Sequence, residues 1–218
     1  MKGRNTLMAL VGLGAMLVTG ALAQAAVINQ LNITGGSVNL NVGNGSITVN
    51  TNGTQGFAQT GTLLMGQYQA SNGPTPIFSS AVGIGSYNFS MFTNPGPDSG
   101  APLPTPSGSI NGTQITVDLS SLFADISGPG IPSSVTLNLG NRLPDLATGT
   151  FDPNTGAFHI AWQRVYQLPQ DFLGSGQFGL DGTTQSASPV PLPAAVYLFG
   201  TGLLALAGAR RRRMSMPG

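Results

Sequence analysis

Ser37-Val38-Asn39-Leu40-Asn41-Val42-Gly43-Asn44-Gly45-Ser46-Ile47-Thr48-Val49-Asn50 reads as a β-hairpin. Val38, Leu40 and Val42 occupy every second position with polar residues between them, the pattern of a strand that buries one face. Gly43-Asn44-Gly45 interrupts the alternation, and Ile47 and Val49 resume it. The spacing therefore predicts two antiparallel strands across a glycine-rich turn.

The same period recurs downstream. Thr62 to Tyr68 reads as a strand, and Ala81 to Phe92 as another with internal glycines. Ile110-Asn111-Gly112-Thr113 supplies an Asn-Gly turn that feeds Ile115, Val117 and Leu119. Leu119 to Ile126 is expected to form a short helical turn, after which Val135, Leu137 and Leu139 alternate again. A second turn, Phe151 to Ala157, leads into Phe158, Ile160 and Trp162 on one face, with His159 and Ala161 on the other. Prolines 95, 97, 102, 104 and 106 make the intervening segment a loop or surface strap, because proline cannot donate to a ladder.

About eight to ten short strands at spacings of roughly 8 to 15 residues predict an all-β fold, an antiparallel β-sandwich or jelly-roll-like domain over residues 26–180. A β-solenoid ranks second, since no repeat of fixed period is present. Residues 174–188 are rich in Gly, Ser, Thr and Gln. The first part is expected to continue as a strand through Phe178 and Leu180, and residues 181–189 to form a flexible linker.

Charge is distributed unevenly. Six of the eight basic residues lie near the two ends, leaving Arg142 and Arg164 against seven aspartates in residues 26–189, a formal net charge of −5. An acidic domain without lysine has no electrostatic footprint for nucleic acid or for anionic headgroups. The absence of cysteine excludes disulfides and thiolate metal sites. About 160 residues suffice for one domain with its own core.

Both ends carry targeting patterns. Lys2 and Arg4 precede an apolar run from Leu7 to Leu22, and small residues around Ala23 and Ala25 satisfy the small-x-small rule, so residues 1–25 read as a secretory signal peptide. Near the other end, Ala194 to Ala209 forms a 16-residue apolar run, about 24 Å as a helix. Pro193 suits the first turn of this expected transmembrane helix. Arg210, Arg211, Arg212 and Arg213 would stay cytoplasmic, leaving the domain outside the inner membrane.

Val190-Pro191-Leu192-Pro193-Ala194-Ala195, the run Leu198-Phe199-Gly200-Thr201-Gly202-Leu203-Leu204 and the arginine block together resemble a PEP-CTERM sorting signal over residues 190–213, followed by the short tail 214–218. Val-Pro-Leu-Pro stands here where the namesake has Pro-Glu-Pro. The resemblance covers about 29 residues of the chain. It implies a Gram-negative, exopolysaccharide-producing host and an exosortase, a membrane-embedded cysteine transpeptidase-like enzyme, as partner. Val190, Pro191, Leu192, Pro193 and Arg210 to Arg213 would form the sorting signal, removed on the way from an inner-membrane intermediate to the cell surface or extracellular matrix.

No catalytic set emerges from the residues. His159 is the only histidine, which excludes multi-histidine metal sites. A Ser-His-Asp triad is formally possible, but no Gly-x-Ser-x-Gly elbow is present. Asp152-Pro153-Asn154-Thr155-Gly156 resembles the start of a calcium loop yet lacks the terminal glutamate, and also fits a β-turn. Tyr68, Tyr87, Trp162 and Tyr166 are candidates for stacking on sugar rings, or else core residues. The sequons at Asn32, Asn44, Asn52, Asn88 and Asn111 follow from composition. The sequence thus points to a non-enzymatic, exported structural or interaction protein associated with exopolysaccharide, with no cofactor and no metal. The alternatives are a carbohydrate- or calcium-dependent binding module and an aspartate-based hydrolase.

Overall fold

A computed structural model describes residues 25–98, 101–167 and 172–186. Residues 1–24 of the expected signal peptide, residues 187–189 of the expected linker, the expected sorting signal and the tail lie outside the described residues. Among those described there is no helix.

The strands are β1 (Ala26–Gly43), β2 (Thr48–Asn50), β3 (Gln55–Phe57), β4 (Gly61–Leu64), β5 (Val82–Ile84), β6 (Tyr87–Thr93), β7 (Pro97–Asp98) and β8 (Ala101–Pro102). They continue with β9 (Ser107–Asn111), β10 (Gln114–Asp118), β11 (Leu122–Ser127), β12 (Val135–Asn138), β13 (Ala147–Phe151), β14 (Ala157–Tyr166) and β15 (Leu173–Ser186). The fold is all-β, and every pairing between strands is antiparallel. That excludes the parallel coils of a β-solenoid for the described residues.

Nine strands form the larger sheet, in which β1, β15, β14, β13, β10 and β9 close on themselves through the β1–β9 pairing. The other edge of β1 is taken in turn by β9, β4, β3 and β2. A second sheet runs β12-β11-β6-β5, and β7 and β8 form a small ribbon. Side chains of both sheets meet in one hydrophobic cluster, including Leu40, Leu63, Phe89, Ile115, Ile126 and Ile160.

β1 holds its apolar face to the core across two irregularities. Its buried residues are Ile28, then Leu31 and Ile33, then Val38, Leu40 and Val42. An extra residue lies between Ile28 and Gln30, and another between Ile33 and Gly35, relative to the unbroken register of β15. Each bulge inserts one residue and reverses the parity, so the same face stays inward. The hairpin expected at Gly43-Asn44-Gly45 forms, with Val42 opposite Val49. Asn44 Oδ1 accepts from the amides of Ser46 and Ile47, and Gly45 takes the positive φ that the turn requires.

Several expectations are corrected. Leu119 to Ile126 is not helical: only one turn forms, Leu122 N donating to Leu119 O. The chain then becomes β11, because Leu122, Ala124 and Ile126 alternate into the core between β6 and β12. Thr62 to Tyr68 shortens to β4, which ends before Gly66 at positive φ. Ala81 to Phe92 is two strands, with Gly85 at φ 59° between β5 and β6.

Residues 181–186 are not linker. They complete β15, paired with β1 through Ile28 opposite Ser186 and with β14 through Ala157 opposite Thr183. A strand hydrogen-bonded on both edges needs no apolar composition of its own to be ordered. Gly182 serves close approach, since a side chain there would run into the Asn32 carbonyl.

The proline-rich strap is pinned at Leu103, which is buried while Tyr68 Oη donates to its carbonyl at 2.5 Å. Between the sheets, three successive inward residues of β14 donate to the end of β12 and the loop after it. Trp162 Nε1 reaches Leu139 O at 2.7 Å, an Arg164 guanidinium nitrogen reaches Gly140 O at 3.1 Å, and Tyr166 Oη reaches Asn138 O at 2.7 Å.

Candidate functional site

The outer face of the large sheet is built from the residues that alternate with the core. Cross-strand register sets them in rows over β14, β15 and β1: His159 opposite Asp181, Ala161 opposite Gly179 opposite Ser37, and Gln163 opposite Gln177 opposite Asn39. The middle row has almost no side-chain bulk while the rows on either side carry long polar groups. The result is an open groove of about 420 Å³, with Thr54 of the β2–β3 loop also lining it. Trp162 and Phe178 line it as well, their rings stacked at 5.5 Å.

Gly179 keeps the floor clear. A Cβ at that position would stand 3.0 Å from Ser37 Oγ and 3.8 Å from His159 Cε1. At one wall His159 Nδ1 and Asp181 Oδ1 are 2.7 Å apart, and both side chains are more than half exposed. The structure thus brings Ser37, His159 and Asp181 to one patch. Their setting does not favour acyl transfer. Ser37, Gly179 and Ala161 all lie in the interior of paired strands, whose amides face along the ladder rather than into the groove.

The other aromatic candidates do not gather here. Tyr166 and Tyr87 are core residues, and Tyr68 is exposed but holds the strap. Only Trp162 lines the groove, half-buried and anchored from beneath by its bond to Leu139. Burial raises the Tyr166 phenol well above its ordinary value, against a smaller opposing pull from the Arg164 charge.

Asp152 adopts the turn rather than an open calcium loop. Oδ1 accepts the Asn154 amide and Oδ2 the Thr155 hydroxyl, each at 2.8 Å, while Gly156 N donates to Asp152 O. Those bonds, the Asn154 amide first, hold its carboxyl below the usual aspartate range. Among the described residues no three acidic or histidine side chains gather as a metal site. Asp118 and Asp125 likewise make local contacts, Asp118 with the Ser120 amide and Asp125 with the Thr136 hydroxyl.

Two features were missed by sequence reasoning. The groove residues on β1 and β15 are far apart in sequence, so only the register reveals the Gln163–Gln177–Asn39 row. The Trp162, Arg164 and Tyr166 bonds did have a signal, since a Trp-x-Arg-x-Tyr run keeps the inward parity of Phe158 and Ile160 and so points an arginine into the core. Comparison with known protein families, curated proteins and solved structures gives no match for the chain.

Proposed function

We propose that this chain is an exported, non-enzymatic structural or interaction protein of the cell envelope or matrix, sorted through residues 190–213 by an exosortase and associated with exopolysaccharide. The described part is read as a sandwich of jelly-roll-like character, with the four-stranded sheet as one layer. One observation carries the reading: the two strands that bound the domain lie side by side, Ile28 opposite Ser186. A domain whose ends leave together suits a chain that carries a membrane-directed segment at each end. The seven residues between Ser186 and Ala194, where the expected membrane helix starts, reach at most about 25 Å, which limits how far that end of the domain stands from the membrane while the tail is intact.

The discriminating measurement is the mass of the protein recovered from the surface of wild-type cells. Sorting predicts a form that begins near Gln24 or Ala26 and lacks Arg210 to Arg213. Surface material that retains the arginine block overturns the reading.

A binding-module reading is favoured by a separate observation, the polar groove across β1, β14 and β15. Its carbohydrate version fits better than its calcium version, because both Asp152 carboxylate oxygens already serve the turn.

A further inference from the structure

We infer that the groove over β1, β14 and β15 is a binding site for a neutral polysaccharide chain, with Gln163, Gln177, Asn39 and Ser37 as its hydrogen-bonding residues. This inference rests on the binding-module reading and names its ligand class and residues.

The first ground is uncommitted hydrogen-bonding capacity held in a concave place. Ser37, Asn39, Gln163 and Gln177 make no side-chain hydrogen bond to any described residue. Three of these are amides in one cross-strand row, at about 4.8 Å from strand to strand. Each amide offers two donors and an acceptor, and Ser37 adds a hydroxyl that can do either. A ligand that satisfies such a row needs closely spaced groups that both donate and accept. The groove volume of about 420 Å³ lies within the range of roughly 300–1,000 Å³ typical of ligand sites.

The second ground is what the surroundings reject. An extended peptide binds a sheet by adding a strand to a free edge, whereas the floor of this groove and its amide row lie on the face of three paired strands. β15, which carries the centre of the floor, is paired to both β1 and β14, while β13 covers the other edge of β14 only from Phe158 to Ala161. Polyanions, including nucleic acids and polyuronates, meet a domain of net charge −5 and a groove with no lysine or arginine among its lining residues. Purely apolar ligands would strip water from the amides without replacing its hydrogen bonds. A neutral, polyhydroxylated chain is accepted on all three counts.

Position supports access. Gly179 lies seven residues before Ser186 along β15, roughly 24 Å at 3.4 Å per residue. The groove therefore stands clear of the end from which the chain leaves the domain.

The test is native affinity electrophoresis of the full-length chain in a polyoxyethylene detergent, which carries no sugar. Gels contain dextran, hydroxyethylcellulose, galactomannan, polygalacturonate or the polysaccharide of the producing organism. Retardation by at least one neutral polymer is expected, with the apparent Kd raised tenfold or more both by Gln163→Ala combined with Gln177→Ala and by Ala161→Phe, which fills the floor. All three substituted side chains are exposed, and an unchanged Trp162 emission spectrum and melting temperature certify the variants. Absence of retardation in every neutral gel and in the producer's polysaccharide overturns the inference. So does retardation that survives both variants, or a shift confined to polygalacturonate. A processed tail without retardation sinks the groove assignment alone, and retardation with an intact tail on the cell surface sinks the sorting proposal alone.

Discussion

Tyr166→Phe separates two consequences of one buried hydroxyl. The Tyr166 side chain is 3% exposed, and its only hydrogen bond to a described residue joins the two sheets by donating to Asn138 O at 2.7 Å. Removing the hydroxyl leaves that carbonyl without the donor at almost no cost in packed volume, so the loss is about 2 kcal/mol at pH 8. The same burial raises the phenol pKa in the native state, desolvation outweighing the attraction of the Arg164 charge 5.6 Å from the ring centroid. A raised native pKa gives a contribution fully present below the unfolded value and lost as pH climbs towards the native one. In the unfolded chain the phenol ionises near pH 10, so at pH 11 ionisation favours unfolding by about 1.4 kcal/mol. Phenylalanine has nothing to ionise, so the gap between the two proteins should fall from about 2 to about 0.6 kcal/mol between pH 8 and pH 11. Urea unfolding followed by Trp162, the only tryptophan, measures both. A gap that stays constant with pH refutes the argument that the native phenol resists ionisation. A gap near zero at pH 8 refutes the role given to the Asn138 bond.

Other perturbations test other parts of the fold. Gln69→Ala removes an almost fully buried amide that accepts from Leu64 N and donates to the carbonyls of Thr62 and Thr75; three backbone groups lose their partner, and a loss of about 3 kcal/mol in urea is expected, whereas less than about 1 would mean that water replaces the amide. In ¹³C-detected titration the Asp152 carboxyl should show a midpoint below 3.8, the direction set by its turn bonds; a midpoint at or above that value would show that the turn opens in solution. Ending the domain at Leu180 should abolish cooperative unfolding, because residues 181–186 supply partners for β1 from Ile28 to Gly35 and for the start of β14. A cooperative transition of unchanged midpoint in the shortened domain would restore the linker reading.

How legible each element was depended on whether its partner in the core was close in sequence. The β1–β2 and β9–β10 hairpins carry turn chemistry and alternation within one short window, and both form where the sequence places them. The first half of β1 gave no such pattern. Its inward residues fall at 28, 31, 33 and then 38, because each bulge resets the period, and Gly35-Gly36 resembles a break. β15 failed differently: its inward positions include Gly176 and Gly182, where neighbouring side chains or backbone fill the space of a Cβ. Composition therefore looked like linker where the chain is in fact paired on both edges, to β1 and β14. The misread residues 119–126 show a local conflict, one real turn followed by a strand that two distant neighbours, β6 and β12, impose. Asn39, Gln163 and Gln177 were individually unremarkable polar residues. Only a register linking positions 39, 177 and 163 makes them a row.

That same register orders the life of the chain on the proposed reading. β1 is made first and β15 last, yet each is the other's principal partner over almost its whole length. Contacts so distant in sequence carry a large loop-closure cost before they yield any stability. Until β15 arrives, β1 and β14 each present an edge whose backbone groups lack partners, the condition that invites pairing with another chain. Only three residues separate Ser186 from Val190, so the last strand clears the membrane almost together with the tail that would hold it there. An anchored tail keeps neighbouring chains from meeting freely during that interval. Closure of β15 between β1 and β14 also assembles the groove, since its floor and its amide row each need one residue from all three strands. Release before closure would free a protein with open edges and no binding site, and release after closure frees one with neither defect.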